Sequence, residues 1–342
     1  MLKKLPTDDA PGGRFRLTMF PGCEPACYKK STAMHMARQF AGECPFYPKT
    51  FVLPYDRPAI EALHPDTLWI AKPHNGYGGR GVVAMRAGSK LFQSLVKKGD
   101  PKEERKKAGL VVQQYIANPM LVGGYKFHIR IYVVIFRLHP TPEAYVHQAG
   151  HVMFATQPFN LNASSLGSKF NPFIHLSNCD INVTLANQNA LLADKPGVGK
   201  GALWGLPRLY DYAQREYRGV TRESLWGQIM TICSAVVTGI ASHPTVKGHQ
   251  LCEGRHFQTY GLDLMPDAEG QMWLLEANDT PGLSSCDPYL SQSGHGAAEV
   301  ENPDSKEGDA ITRQIIHDTI ALAGMDAGDH CAGDLTRFWR CN

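Results

Sequence analysis

Among its nine cysteines the chain has no CxxC pair, and no His/Cys set completes a zinc site around Cys23 and Cys27, which are four apart. That excludes a zinc-ribbon or disulfide-framework reading and points to free thiols in a reducing compartment, the cytosol. No apolar run of membrane-spanning length is evident. The start, Met1-Leu-Lys-Lys-Leu-Pro-Thr-Asp-Asp, lacks the apolar centre of a signal peptide. A net charge of only +3 speaks against general nucleic-acid binding but leaves room for a local basic groove. No internal repeat is present. Both common phosphate-loop fingerprints are missing. No GK[ST] occurs after the glycine-rich stretch, and that stretch leads into a strand pattern rather than a helix.

What is present is concentrated late in the chain. Tyr260-Gly-Leu-Asp263-Leu-Met and Met272-Trp-Leu-Leu-Glu276-Ala-Asn278 are short apolar runs joined by Asp267-Ala-Glu-Gly270, which reads as a hairpin turn. The hairpin brings Asp263 against Glu276 and Asn278, and the last two share a strand face. Two carboxylates and an amide suit Mg²⁺, which takes a few carboxylates and otherwise phosphate oxygens. The plain alternative is a solvated acidic pair.

Upstream, Trp69-Ile-Ala-Lys72-Pro73 runs into a turn containing Gly76, Gly78, Gly79, Arg80 and Gly81. Such glycines let backbone N–H groups approach phosphate oxygens, with Lys72 as a point charge, although a simple hairpin reads the same way. Gln113-Gln114-Tyr115-Ile116 ends a strand and offers a hinge for an adenine edge, or is an ordinary strand end. In Lys126-Phe-His128-Ile-Arg130, period-2 alternation puts the three basic residues on one face. That face suits a polyphosphate or is a solvent-facing basic strand.

Around these motifs, helices are expected over Tyr28 to Phe40, Thr221 to Ile240 and Ala310 to Ala323. Strands are expected at Leu68–Ala71, Val82–Met85, Leu110–Ile116, Phe127–Phe136 and Ala144–Phe154. In the helix from Thr221, the stripe Leu225, Ile229, Ile232, Val236 and Ile240 is a core face. Lys97 to Lys107 reads as a solvated charged run and Gly294 to Gly308 as a polar loop. Strands and helices in this irregular order give α+β rather than a doubly wound sheet.

In order, these segments resemble the tubulin–tyrosine ligase-like family. Its Lys-Pro with a glycine-rich loop, Gln-x-Tyr-Ile/Leu, Lys-Phe-Asp-x-Arg, Leu-Thr/Ser-Asn, Tyr-Gly-x-Asp and Glu-x-Asn-x-x-Pro stand here as Lys72-Pro73, Gln113–Ile116, Lys126–Arg130, Leu176-Ser177-Asn178, Tyr260–Asp263 and Glu276–Pro281. The resemblance implies an ATP-grasp fold with two subdomains clasping the nucleotide. These would be residues 28–117 and 118–342, after an irregular segment 1–27 and with a polar loop at 291–308.

It also implies an ATP- and Mg²⁺-dependent ligase that joins a free amino acid to a protein carboxylate through an acyl phosphate, most simply on a tubulin C-terminal tail. Nucleic acid and membrane are not expected partners, and the cytoplasm, cytoskeleton or a cilium or flagellum is the expected place. By position, Lys30 and Lys72 would hold phosphates. Gln113, Gln114, Tyr115 and Ile116 would cradle adenine, and Lys126 and His128 would lie at the nucleotide. Arg130 would stabilise the transferring group, Ser177 and Asn178 would lie beside phosphates and acceptor, and Asp263, Glu276 and Asn278 would hold the metal.

The chain departs from the family pattern at three places. His128 replaces the family's Asp. Met153 stands where an Arg pairs with the incoming amino acid's carboxylate, and Asn182-Val183 stands where many members have Lys. Other groups such as Arg208, Arg215 or His175 could hold that carboxylate. Alternatively, the chain is a nucleotide-binding member that ligates little or not at all, or a ligase for a small molecule. The family's first substrate-contacting domain also looks nearly absent, which bears on how a tubulin tail would dock.

Overall fold

The computed structural model describes residues 19–20, 22–74, 76, 78–98, 109–178, 181, 193–200, 203–247, 256–283, 303–323 and 337–341. Its strands in chain order are β1 (Thr50–Val52), β2 (Leu68–Pro73), β3 (Val83–Arg86), β4 (Leu110–Gln114), β5 (Leu121–Val122), β6 (Tyr125–Arg137), β7 (Glu143–Phe154), β8 (Asp194–Lys195), β9 (Gly199–Lys200), β10 (Leu203–Gly205), β11 (Gln258–Pro266), β12 (Met272–Asn278) and β13 (Phe338–Arg340).

They form a small sheet in the order β1-β4-β2-β3 and a large one in the order β10-β7-β6-β11-β12. β5 pairs with β6 and β13 with β7, while β8 and β9 make a separate two-stranded ribbon. The pairings within both main sheets are antiparallel. This is the α+β class expected from the element order, because antiparallel neighbours need only short connections.

The large sheet separates two environments by alternation. On β6, Phe127, Ile129, Ile131, Val133 and Ile135 join the main apolar core, while Lys126, His128 and Arg130 point to the other face. That core is roofed by the helix Arg222–Ser242. The helix starts on a capping box in which Thr221 Oγ1 accepts from Ser224 N (3.1 Å) and Ser224 Oγ accepts from Thr221 N (3.0 Å). The expected stripe Leu225, Ile229, Ile232, Val236 and Ile240 is buried. By length and composition this helix could cross a membrane, contrary to the sequence reading. Scattered hydroxyls and amides disguise how apolar it is, and here that apolar character faces the core.

The helix Lys29–Gln39 packs on the same core through Ala33 and Met36. The small sheet has its own core of Leu53, Ile60, Trp69, Met85, Phe92 and Val112.

Two boundaries differ from expectation. Residues 303–308, read as loop, open the helix Pro303–Leu322; a proline with acidic neighbours suits a first helical turn despite its polarity. Within the segment read as irregular, Glu24–Cys27 is a short helix with proline in its first turn. Lys97 closes the helix Lys90–Lys98. Residues 99–108, 182–192 and 284–302 lie outside the described ones, and with them most of the charged run, Asn182-Val183 and most of the polar loop.

Candidate active site

The two sheets face one another across a partly open cleft lined by both apolar and polar groups. Its apolar walls are Ile70 and Val82 from the small-sheet side and Met265 from β11. Its polar groups come from both sides. β2 and β4 supply Lys72, Gln113 and Gln114, followed by Tyr115 and Ile116. β6, β11 and β12 supply Lys126, His128, Asp263 and Glu276.

Lys72 and Lys126 are both buried, and among the described residues neither has a carboxylate within salt-bridge distance. The Lys72 ammonium donates to Gln113 Oε1 (2.7 Å) and reaches the Leu275 carbonyl (3.5 Å). That of Lys126 donates to the Tyr115 hydroxyl (3.0 Å), which also bonds His175 Nδ1 (2.8 Å). Burial pushes the Lys126 ammonium down to about 7, with repulsion from Lys72 adding to the shift. Burial likewise lowers Lys72 to about 8, with Glu276 opposing and Lys29 reinforcing. Two desolvated ammonium groups in one cleft make a receptor for an anion.

Opposite them stands the acidic group. Asp263 on β11 faces Glu276 on β12 across the ladder, as the hairpin reading required. Asp267 Oδ1 accepts the N–H groups of Glu269 (3.1 Å) and Gln271 (2.9 Å), and Gly270 takes φ +81°, so the turn residues do what their type predicts. A register shift follows Asp263, because the next pair is Leu264 with Leu274. Leu275 is therefore a bulge residue, and both it and Glu276 line the cleft, which a regular strand would not allow.

Arg130 forks onto Asp263, Nε to Oδ1 at 2.5 Å and Nη2 to Oδ2 at 2.9 Å. Burial raises the Asp263 carboxyl, but Arg130, with His128 and Asn278, outweighs burial and holds it below the ordinary carboxylate range. Asn278 Nδ2 is 3.4 Å from Asp263 Oδ2. The Arg130 side chain lies over Gly261, where a Cβ would come within 2.8 Å of Arg130 Cδ and of Pro281 Cβ. His128 is buried, and its burial lowers the imidazole to about 4. Its Nδ1 bonds Ser177 Oγ (2.5 Å), and its Nε2 lies 3.8 Å from Asp263 Oδ1 with no hydrogen-bond partner among the described residues.

Asp263 and Glu276 pair across the ladder and line the cleft, and Asn278 turns its amide nitrogen toward Asp263; carboxylate oxygens of this kind suit a hard divalent cation. Among the described residues, however, no three His, Cys, Asp or Glu side chains form a ready metal cage. Arg130 covers Asp263, and Lys29 Nζ lies 3.2 Å from Glu276 Oε1. These internal cations hold the acidic pair in this conformation, and a metal would exchange with them.

Of the predicted residues, Lys30, Gly78, Gly81, Arg130 and Asn278 are not part of the cleft lining. The Lys30 ammonium bonds the exposed Tyr55 hydroxyl (3.1 Å) and sits 4.5 Å over that ring. Lys29 enters instead, donating to the Gly76 carbonyl (2.6 Å). Helical spacing could have found it, since Lys29, Thr32, Ala33 and Met36 form one buried i, i+3, i+4, i+7 face. Of the glycine-rich turn, Gly76, Gly79 and Arg80 line the cleft, whereas Gly78 and Gly81 shape the turn with φ +59° and +72°. A Cβ on Gly79 would collide with the Ile181 side chain.

Gln113 spends its side chain on Lys72 and Thr50. The N–H groups of Gln114 and Tyr115 are committed to Lys49 O and Leu68 O. Ser177 and Asn178 line the cleft. Met153 is buried opposite His128 on β7 and stays out of it. Of the groups considered for an amino-acid carboxylate, His175 lines the cleft. Arg208 stacks on Trp204 and donates to Val198 O, and Arg215 pairs with Glu216.

Comparison with known proteins adds a family match. The profile of the tubulin-tyrosine ligase family matches residues 16–295. The chain is 29% identical over 320 residues to a mouse protein named probable tubulin polyglutamylase TTLL2, covering 90% of this chain and 50% of the relative. It is 31% identical over 244 residues to the Caenorhabditis elegans probable tubulin polyglutamylase ttll-9, covering 70% and 53%. With the human tubulin monoglutamylase TTLL4 it shares 30% over 290 residues, 83% of this chain and 21% of the relative. The chain thus spans about half or less of the length of these relatives.

Proposed function

The chain belongs to the tubulin-tyrosine ligase family, and from that premise we propose that it is an ATP- and Mg²⁺-dependent carboxylate–amine ligase of ATP-grasp type. It adds an amino acid to an acidic protein tail, most simply that of tubulin. The observation that carries this reading is the pairing, across one cleft, of two buried lysines with two cross-strand carboxylates. A nucleoside triphosphate supplies the anion that the two lysines lack, and its cation would take the place of Arg130 and Lys29 on the carboxylates. The lining comes from within residues 28–117 and within 118–342, which supports two subdomains clasping one ligand.

In this reading Lys72 and Lys126 compensate phosphate charge, with Lys29 taking the part first given to Lys30. Ile70, Val82 and Met265 sandwich the adenine ring, and the hinge donor falls to Ile116, because the preceding N–H groups are occupied. Asp263, Glu276 and Asn278 would hold the cation, whose positive charge would supply screening for the phosphates. Arg130, once released from Asp263, stabilises the transferring group.

The acceptor carboxylate oxygen attacks the terminal phosphorus and ADP leaves. The amine then attacks the acyl carbon, loses a proton and expels phosphate, forming the amide. Ser177 and Asn178 line the approach of the acceptor. The names of the relatives favour glutamate as the added amino acid, and a tubulin substrate places the work in the cytoplasm, cytoskeleton or a cilium.

Met153 and His128 favour a second reading, in which nucleotide binds but ligation is weak. The test is mass spectrometry of tubulin incubated with the protein, ATP, Mg²⁺ and each amino acid, with Glu276→Gln as control. Mass increments absent from the control support the ligase. ATP binding without an increment for any amino acid selects the second reading, and no ATP binding removes both.

A further inference from the structure

His175 lines the cleft, yet both of its nitrogens are already engaged. Its Nε2 lies 3.0 Å from the Ser165 carbonyl oxygen, which can only accept, so Nε2 carries the proton. Ser165 Oγ, 3.2 Å from the same nitrogen, spends its own proton on the Asn162 carbonyl at 2.9 Å. Nδ1 is then the acceptor, and the Tyr115 hydroxyl 2.8 Å away donates to it. With its one proton committed, that hydroxyl turns a lone pair to Lys126, whose ammonium donates to it at 3.0 Å. The bonds therefore run one way, from Lys126 through Tyr115 and His175 to Ser165, and all four residues are buried. Burial lowers the imidazole to about 4, with the charge on Lys126 adding to the effect and the Ser165 carbonyl opposing it. The ring stays neutral, and Nδ1 keeps its lone pair.

The ring is held from outside the two sheets. It belongs to the strap of residues 155–178 after β7, where Phe170 stacks on it with 5.3 Å between centroids. Leu166 of the same strap packs with Ile70, Ala84 and Tyr115 on the small-sheet side. Resting on the reading that Lys126 compensates phosphate charge, we infer that His175 is a positioning residue for Lys126. By taking the Tyr115 proton it makes that hydroxyl an acceptor and pins the ammonium at its place in the cleft. A hydroxyl free to rotate would at times turn its proton toward the ammonium and repel it. The same commitment of both nitrogens removes His175 from the groups that could hold an amino-acid carboxylate.

Calorimetry of the whole protein with a non-hydrolysable ATP analogue tests this. Tyr115→Phe and His175→Phe should each weaken binding by about tenfold, the scale of one hydrogen bond to a charged group. Together they should cost no more than either alone, because both remove the same acceptor, whereas independent effects would multiply. His175→Gln, which keeps one acceptor and one donor, should recover part of the loss. Adenosine, which brings no phosphate to Lys126, should bind every variant as it binds the wild type. Histidine ¹⁵N spectra of the unsubstituted protein give a readout free of any folding defect, and should show His175 with a protonated Nε2 and a bare Nδ1. The opposite tautomer, multiplied losses, or equal losses for adenosine and the analogue would overturn the inference while leaving the nucleotide site standing. No binding of the analogue to the wild type would overturn that site and the inference together.

Discussion

The two sheets that enclose the cleft are built differently. The small sheet has strands of three to six residues and sends in one cationic side chain, Lys72, beside a glycine-rich turn. The large sheet has central strands of nine to thirteen residues with the seven-residue β12 at its edge, and one face carries Lys126, His128, Arg130, Asp263 and Glu276. Long strands hold side chains to a fixed spacing, as reacting groups need. Short strands and a turn can follow a ligand. In the proposed reading the large sheet carries the groups for transition-state work, and the small sheet contributes to the nucleotide grip through Lys72.

The sharpest way to break that division is Glu276→Gln. It should lower turnover by about 10³-fold, the scale of losing one preorganised electrostatic group, while nucleotide affinity in the absence of metal stays near wild type. Steady-state kinetics beside calorimetry would show it, and loss of metal-free affinity with intact turnover would reverse the assignment.

Next in size is Lys72→Ala, which should weaken nucleotide binding by about 10²-fold through loss of a buried charge. Unchanged affinity by calorimetry would remove the small sheet from the grip.

A smaller effect concerns pH. Burial holds the folded-state Lys126 ammonium down to about 7, against an ordinary lysine value of 10.5. Between those values the unfolded chain binds the extra proton, so Lys126 makes the ligand-free protein gain stability as pH rises from about 7 to about 10. Anion binding needs the protonated form, so affinity should move the opposite way. Melting and binding curves of wild type minus Lys126→Met should show both slopes, and parallel slopes would contradict the charge assignment.

The smallest effect is a control within one helix. Lys30→Ala should change nucleotide affinity less than about twofold, as for exposed charges. Lys29→Ala, one residue away, should cost clearly more. Equal losses would return Lys30 to the site.

Much of this was legible in the sequence because period and turn chemistry are local. Alternation in Lys126–Arg130 and the Asp267–Gly270 turn placed the basic face and the acidic pair correctly. Reading Lys30 in place of Lys29 followed from aligning a motif rather than asking which residue shares a face with Ala33 and Met36. The Arg130 fork and the unpartnered His128 nitrogen depend on contacts between β6 and β11, and the Gln113 contact with Lys72 on pairing within the small sheet, which no local pattern carries. The early start of the helix at Pro303 was hidden by its polarity.

Leu275 makes two jobs separable by chain length rather than by side-chain type. Excising that one residue would restore an unbroken ladder with Glu276 still opposite Asp263, yet would take from Lys72 the carbonyl it now reaches. A shortened hairpin would therefore keep the acids in register while leaving the lysine with a looser tether, a change that no point substitution can reproduce.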